Sequence, residues 1–302
     1  MTNRLSAYII DKLRDVRSYS SVAREVNLSV TTVIRVFDLV GYSPTELPQV
    51  LSIDEFKGNT NREKYQCIIT DPVNKRIIDI LPTRYKHDLV RYFKRFDKTK
   101  TTHFVSDMWS TYSDISSTFF KNATYIIDKY HYIRQVIWAF EAVRKETQKR
   151  FSKSHRIYFK RSKSLLIKHY DNLSIDEQKQ VMVMLSVDVN LSNAYFLKEQ
   201  FFTILHCKNS SDAKQMLSIW IRDAQNCGIK RFSDCANTFI NWSNAILNSF
   251  DCPYTNGFTE GCNNKIKVLK RNAYGYRNFS RFRNRILHIF NNKNLIKKLE
   301  AA

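Results

Sequence analysis

Three acidic residues occupy positions from which they could act on phosphate. Asp54 lies near the end of the mostly apolar run 50–56, Asp107 follows a short predicted strand at 102–106, and Glu260 lies near the start of a predicted helix. A buried carboxylate is costly unless it is paired, hydrogen-bonded or bound to a metal. Three oxygen donors without His or Cys suit Mg²⁺ or Mn²⁺, and two such ions can assist phosphodiester cleavage.

Each acid also has a purely structural interpretation. Asp54 and Glu55 could both lie at a solvated strand end, and strand alternation predicts that they face opposite sides of the sheet, so that only one faces a given site. Asp107 could cap a helix that starts at Trp109. Glu260 could simply complement a helix dipole. The residues alone leave these alternatives open.

A stripe along the Glu260 helix favours a functional role for that residue. At spacings of four, three and four, Glu260 shares one helix face with Asn264, Lys267 and Arg271. From residue 263 to 299 the chain has eleven Lys or Arg and no acid. A helix-dipole role for Glu260 does not explain why cations share its face.

The elements that must position these acids follow from the pattern of residues 50–128. Apolar runs at 50–56, 64–70 and 75–81, with turn residues at 71–74, predict a three-strand meander. Helices at 86–96 and 109–120 alternate with strands at 102–106 and 123–127. This β-β-β-α-β-α-β order is that of the α/β ribonuclease-H-like fold, with a mixed five-stranded sheet covered by helices. First and fourth strands are neighbours in that fold, so Asp54 and Asp107 can converge.

Residues 20–37 predict a helix-turn-helix. Asn27 and Leu28 form the turn, and Ser29 is suited to cap the second helix. The outward-facing side chains at the start of that helix would meet DNA; they are Thr31, Thr32 and Arg35. A plain helical hairpin is the alternative.

Composition indicates a polyanionic partner. The 302 residues carry 49 Lys or Arg against 28 Asp or Glu, a net charge of +21. No apolar run approaches the ~18 residues of a membrane span, and the N-terminus has no signal-peptide core. The six cysteines form no C-x-x-C pair, which argues against a zinc ribbon. We therefore expect a cytoplasmic, nucleoid-associated protein that binds double-stranded DNA and no membrane.

An all-helical insertion separates the predicted strands from the Glu260 helix. Residues 133–245 have almost no strand pattern, and 145–169 hold nine Lys or Arg with one acid, a density that suits a phosphate-facing surface. The predicted domains are a helix-turn-helix domain, two parts of the core separated by the insertion, and a basic tail: 1–46, 50–132, 133–245, 246–292 and 293–302.

Several motifs resemble one family. Residues 50–291 resemble the DDE transposases of bacterial insertion sequences, closest to the ISL3 group. The resemblance rests on these segments: Ser52-Ile-Asp-Glu-Phe56, Leu81-Pro-Thr-Arg84, Val105-Ser-Asp-Met-Trp109, Asp128-Lys-Tyr-His131, Thr255-Asn-Gly-Phe-Thr-Glu-Gly-Cys-Asn-Asn-Lys-Ile-Lys267 and Ala273-Tyr-Gly-Tyr-Arg-Asn-Phe279.

The resemblance implies two divalent ions, Mg²⁺ or Mn²⁺, held by Asp54, Asp107 and Glu260. It also implies a DNA contact from Lys267. Arg84 is a further candidate for DNA contact, and we expect the protein to bind DNA as a homodimer. His131 matches a histidine beside the site in related groups, although a structural histidine is equally compatible, and Asp128 is the carboxylate to consider next. The family usually has a zinc-binding segment before the helix-turn-helix; since this chain starts too late to include it, we expect a shortened copy or a partial chain.

Two functions follow as expectations. The first is a transposase that cleaves DNA at element ends and transfers the freed 3′ end to target DNA. The second is a truncated or catalytically idle copy that represses its own element by binding DNA. A ribonuclease-H-like nuclease is a third alternative, but the helical insertion before Glu260 fits such an enzyme less well.

Overall fold

The computed structural model describes residues 1–161 and 163–291 and contains a mixed five-stranded sheet. Its strand order is β3-β2-β1-β4-β5, with β1 antiparallel to β2 and parallel to β4. This arrangement confirms the predicted fold class. The strands are β1 Val50–Thr60, β2 Glu63–Asp71, β3 Arg76–Leu81, β4 His103–Ser106 and β5 Thr124–Ile127, with helices α4 Lys86–Phe93 and α5 Ser110–Phe119 between them.

The first hairpin extends further than the sequence pattern predicted. β1 continues to Thr60 and β2 begins at Glu63, because Asn61 and Arg62 form a two-residue turn with φ of 50° and 69°. Positive φ at both central positions matches the right-handed twist of paired strands. At the second hairpin Asp71 accepts hydrogen bonds from the Asn74 backbone at 3.0 Å and its side chain at 2.8 Å. Both turns hold β1, β2 and β3 in register.

Opposite faces of the sheet bury two separate cores. The alternation of a strand sends Ile69 to one face, where it packs with α4 and α5 residues such as Phe93 and Ile115. The neighbouring Ile68 packs on the other face with Ile266 and Ile286. Those residues belong to two helices that follow the insertion, α13 Gly257–Asn272 and α14 Phe279–Asn291. The sheet is therefore covered on both sides.

The predicted helix-turn-helix is present and has one additional helix. Its helices are α1 Asn3–Lys12, α2 Tyr19–Glu25 and α3 Val30–Phe37. Asn27 makes the turn with a φ of 52°, and the Ser29 hydroxyl accepts the Thr32 N–H at 3.1 Å as the N-cap of α3. The three helices share a small core of their own that includes Ile9, Val22 and Phe37.

Helix α14 attaches these N-terminal helices to the sheet. Fully buried Arg285 donates from Nη2 to the carbonyls of Asp15 at 2.9 Å and Arg17 at 2.7 Å. Arg283 pairs with Asp79 on β3 at 2.6 Å. Buried His288 donates from Nε2 to the Ile10 carbonyl at 2.7 Å. Part of the basic C-terminal segment thus binds the protein's own backbone and acids.

Contact clustering divides the chain into two units, residues 1–125 with the chain from 254, and residues 126–253. In the second unit, the described residues after β5 form helices and their connections. The helices are α6 Lys129–Lys149, α7 Lys153–Arg161, α8 Lys163–Ile167, α9 Ile175–Leu185, α10 Val189–Ile204, α11 Ser210–Asn226 and α12 Lys230–Asp251. Within this unit Phe201, Trp220 and Phe239 pack with ring centroids 5.1 to 5.2 Å apart.

None of the helices in residues 1–161 and 163–291 is long and apolar enough to cross a membrane. The predicted basic tail at 293–302 lies outside the described residues.

Replacing Arg285 tests the attachment through α14. Arg285→Ala removes two charge-assisted hydrogen bonds from a buried guanidinium to backbone carbonyls, so we expect the free energy of unfolding to fall by about 2 kcal/mol or more. Arg281→Ala is the matched control, because Arg281 pairs with Asp38 while 42% of its side chain is exposed, and such pairs are worth about 1 kcal/mol at most. Urea denaturation measures both. Equal losses in the two variants would contradict this account of α14.

Candidate metal and catalytic site

The parallel pairing of β1 with β4 brings two of the predicted aspartates to one edge of the sheet. Ser52 pairs with Val105 in the last register position of the two strands. Asp54 and Asp107 each lie two residues beyond that pair, and the carboxyl ends of neighbouring parallel strands meet at the same edge. Helix α5 begins at Ser110 with Trp109 as its N-cap residue. Asp107 is therefore not the N-cap, and that alternative was wrong.

A third carboxylate joins them. Asp54, Glu55 and Asp107 each offer an oxygen within 4.8 Å of the other two. The expectation that only one of Asp54 and Glu55 could face a site was wrong. Strand alternation fixes the direction of Cβ, but among the described residues β1 has no register partner on β4 beyond Ser52. The longer side chain of Glu55 can therefore turn toward that open edge.

The cluster is electrostatically costly as it stands. Asp54 is 8% exposed, and burial raises its pKa to about 8, with the charges of Asp107, Glu55 and Glu260 adding to the rise. The Glu55 N–H, which donates to Asp54 Oδ1 at 2.8 Å, acts in the opposite direction. A bound cation would offset this cost. The donor set is all carboxylate oxygen, which fits a hard divalent ion.

Arg84 neutralises part of that charge from one side. Its Nη1 lies 2.8 Å from Glu55 Oε1. Its guanidinium lies between two rings, 4.5 Å from the Tyr65 centroid and 4.7 Å from that of Trp109. An arginine stacked in this way is preorganised for its ion pair. The structure thus gives Arg84 a partner within the chain, and its predicted DNA contact stays a prediction.

Asn263 is a site residue that sequence reasoning missed. Its Nδ2 donates to Asp54 Oδ2 at 2.9 Å and approaches the Glu55 carbonyl at 3.4 Å. Spacing from Glu260 had instead pointed to the adjacent Asn264, which is exposed. A usable signal exists, since Asn263 falls on the buried side of α13 together with apolar residues. A polar side chain on an apolar stripe needs a buried partner.

A hydroxyl network fixes the first turn of α13 on the sheet. Thr259 Oγ1 lies 2.9 Å from Ser52 Oγ on β1 and 2.7 Å from Thr70 Oγ1 on β2. Ser52 also donates to the Asn256 side chain. Four residues from two strands and one helix end are thereby joined at a buried point. The network fixes the backbone of the first turns of α13 relative to Asp54.

Glu260 follows directly after Thr259 in that first turn. It is not one of the three carboxylates that cluster in the described chain, although its charge contributes to the raised pKa of Asp54. Further along α13, Asn264, Lys267 and Arg271 are exposed, and Lys267 Nζ donates to Asn264 Oδ1 at 3.1 Å. The predicted stripe therefore begins at Glu260 and continues along an exposed face of α13.

The remaining predicted residues lie away from this cluster in the sequence. On α3, Thr31 and Arg35 are exposed, whereas the Thr32 hydroxyl lies 2.8 Å from that of Ser29. In the second unit, Asp128 is buried at the start of α6. His131 is also buried there, and its burial together with the charge of Arg134 lowers its pKa to about 4.

Known sequences place these features in context. A family described as "Transposase" matches residues 51–286, and one described as "Helix-turn-helix domain of transposase family ISL3" matches residues 1–41. The transposase for insertion sequence element IS1001 of Bordetella parapertussis is 26% identical over 238 residues, 76% of this chain and 58% of that protein. The transposase for insertion sequence element IS1557 of Mycobacterium tuberculosis is 23% identical over 256 residues, 75% of this chain and 56% of that protein.

This chain therefore spans little more than half the length of those relatives. A Lactococcus lactis protein named "ATP-dependent protease" is 50% identical over 50 residues, 17% of this chain. That stretch is too short to carry an argument about function.

Thermal unfolding with divalent ions tests the cluster directly. Because a ligand that binds only the folded state stabilises it, Mn²⁺ should raise the melting temperature of the wild type by a few degrees. Asp54→Asn should lose the Mn²⁺ response. Its melting temperature in EDTA should stay close to that of the wild type, because the loss of one repelling charge is offset by the loss of one of the two oxygens that accept from Asn263 and the Glu55 N–H. Asp114→Asn, at an acid whose side chain is 51% exposed, is the control. A full Mn²⁺ response in Asp54→Asn would refute the assignment.

Proposed function

Since the chain belongs to the ISL3 family of transposases, we propose that it is a DDE transposase that cleaves DNA at element ends and joins the freed 3′ end to target DNA. The observation that carries the proposal is the carboxylate cluster just beyond the last paired residues of β1 and β4. An acidic cluster alone is common on proteins. In this one Asp54 is buried at a parallel strand pair, and a helix with a fourth acid is hydrogen-bonded beside it.

Two divalent ions, Mg²⁺ or Mn²⁺, are the proposed cofactors, with Asp54, Asp107 and Glu260 as their ligands. When bound, such ions activate the attacking oxygen and stabilise the leaving oxygen of a phosphodiester. The protein's contribution is to fix its carboxylates in place. Asn263 and the Glu55 N–H each hold one oxygen of Asp54, which leaves that carboxylate little freedom to rotate.

Glu55 and Glu260 have different proposed roles. Glu55 already has a cationic partner in Arg84, so we assign it to orienting and charge balance. Glu260 lies on the turn that the Thr259 network fixes, three residues before Asn263. With the turn held in place, reorientation of the Glu260 side chain on binding DNA would complete the site, and side-chain rotamer changes on binding are common.

The DNA contacts of the proposed enzyme come from two helices of the first unit. On α3, Thr31, Thr32 and Arg35 would read base edges, as the second helix of such motifs does. On α13, the exposed stripe beyond Glu260 would hold phosphates that lead away from the cluster; its residues are Asn264, Lys267 and Arg271. Arg84 would join these contacts if DNA displaced it from Glu55. The net charge of +21 supports strongly salt-dependent binding.

The proposed assembly is a homodimer on double-stranded DNA, acting at the nucleoid in the bacterial cytoplasm. Its proposed domains are those set out from the sequence: a helix-turn-helix domain at 1–46, a ribonuclease-H-like core at 50–132 and 246–292, and a helical insertion at 133–245. The tail at 293–302 would add positive charge.

Plasmid nicking tests catalysis. With Mn²⁺ the wild type should nick supercoiled DNA, and Ca²⁺ should not support the reaction. Asp54→Ala, Asp107→Ala and Glu260→Gln should each lower the rate about a thousandfold, because metal stabilisation is worth several kcal/mol and each 1.36 kcal/mol is tenfold in rate.

DNA binding should survive all three substitutions, and Asp114→Asn should nick normally. A wild type that binds DNA but never nicks it would instead fit the DNA-binding repressor. Full activity in Glu260→Gln alone would remove Glu260 from the triad and make Asp128 the next carboxylate to test.

Selection from a random duplex library tests base reading by α3. Deleting the N-terminal helices would expose Arg285 and His288 of α14, which are buried and donate to carbonyls of that segment, so substitution is the cleaner change. Thr31→Ala with Arg35→Ala should reduce enrichment of preferred sequences more than overall affinity, because each base contact is worth about 1 to 3 kcal/mol of discrimination. Exposed Arg4 on α1 supplies the control Arg4→Ala. Unchanged enrichment would exclude α3 as the reader.

A further inference from the structure

An exposed ladder of aromatic rings and a cation lies on α6 in the second unit. Tyr130 is 52% exposed and Trp138 is 54% exposed. The Arg134 guanidinium lies between them, 5.2 Å from the Tyr130 centroid and 4.6 Å from that of Trp138. The three residues are spaced by four, so they follow one another along a single helix face. We call this set the α6 ladder.

Buried His131 holds the middle of the α6 ladder in place. Arg134 Nη2 donates to His131 Nδ1 at 3.3 Å. Because an arginine only donates, Nδ1 must be the acceptor and the ring is neutral. Among the described residues, His131 Nε2 and Arg134 Nε are buried without a hydrogen-bond partner. The arginine is thus fixed by stacking on two rings and by a neutral histidine, neither of which cancels its charge.

Lysines extend the same face. At about 100° per residue, Lys145 and Lys149 fall within about 60° of Arg134 around the helix axis, and both lysines are exposed. The whole face, from Tyr130 to Lys149, is about 28 Å long at 1.5 Å per residue. It therefore presents flat apolar rings at one end and cations at the other.

One acid falls on the same side of α6 without cancelling those cations. Glu141 is buried. It pairs with Arg144 at 2.6 Å and with Lys163 at 3.2 Å. Its charge is therefore balanced within the protein, and the exposed groups of this face are rings and cations.

We propose that the α6 ladder binds an unpaired nucleobase of DNA, which stacks on Trp138 while Lys145 and Lys149 contact the phosphates that follow it. Every base has a flat face that stacks on aromatic rings, and basic residues follow the strand in proteins that bind single strands. This site rests on the proposed function, because strand cleavage supplies DNA with broken strands. It adds unpaired DNA bases to the ligands of the proposed enzyme.

Charge argues against a second copy of this chain as the occupant. Two copies that met through this face would bring six cations together, Arg134, Lys145 and Lys149 from each, with no exposed acid among the described residues of the face to pair with them. The segment 145–169 adds nine Lys or Arg with one acid. Like charges directly opposed weaken an interface and select against such a partner. A polyanion with an exposed flat ring could stack on the aromatic side chains at one end of the face and pair with the cations at the other.

The test compares two labelled duplexes of equal length, one fully paired and one with a short unpaired segment that contains 2-aminopurine. The wild type should bind the second duplex about tenfold more tightly, within the range that stacking of one base supports, and should quench the 2-aminopurine fluorescence. Trp138→Leu should lose both effects and keep its affinity for the paired duplex. Trp138→Phe should retain most of both, and Phe196→Ala, at another exposed ring of the second unit (57% exposed), should behave as wild type.

Other outcomes separate this proposal from the proposed function. If the wild type nicks plasmid but shows no preference for the unpaired segment, the stacking site is wrong and the transposase proposal stands. If Trp138→Leu weakens both duplexes equally, the face is a general phosphate surface and the stacking site is wrong. A change of oligomeric state in Trp138→Leu with the preference intact would reassign the face to contact between copies.

Discussion

Mutual repulsion between buried Asp54 and two half-buried carboxylates, Glu55 and Asp107, is the constraint on which the rest of the first unit depends. Parallel pairing of β1 with β4 leaves Asp54 and Asp107 side by side, and Glu55 turns toward them. In a medium of low dielectric such charges favour protonation or a cation. The surrounding residues limit the cost without removing it, since Arg84 pairs with one acid and Asn263 donates to another. A fold that keeps this cluster gains little stability from it, which is why a metal-binding function is the simplest account.

Helices α13 and α14 connect this constraint to the N-terminal helices. The first turn of α13 is hydrogen-bonded to β1 and β2 through Thr259. Helix α14 pairs with β3 through Arg283 and donates to the α1–α2 connection through Arg285. The acidic cluster and the helix-turn-helix are therefore held by consecutive helices that pack on one face of one sheet. A DNA segment that α3 bound would have a defined direction relative to the cluster.

The sequence predicted the elements better than the side-chain contacts. Apolar runs and turn residues identify β1 and β4, and the neighbour rule for parallel strands then brings Asp54 and Asp107 together. Glu55 was assigned wrongly because alternation fixes only the direction of Cβ, and the β4 side of β1 has no register partner beyond Ser52 in the described chain, so a long side chain can turn toward it. Asn263 was missed because the position of α13 on the sheet is set by tertiary packing. A charge count over the basic segment 263–299 also cannot distinguish Arg285, which is buried, from an exposed cation.

Anomalous diffraction from crystals grown with Mn²⁺ tests the central claim most directly. We expect a manganese peak where the pairing of β1 with β4 ends, with carboxylate oxygens of Asp54 and Asp107 at ligand distance. Absence of a peak there at saturating Mn²⁺, or a peak bound only by other residues, would contradict it.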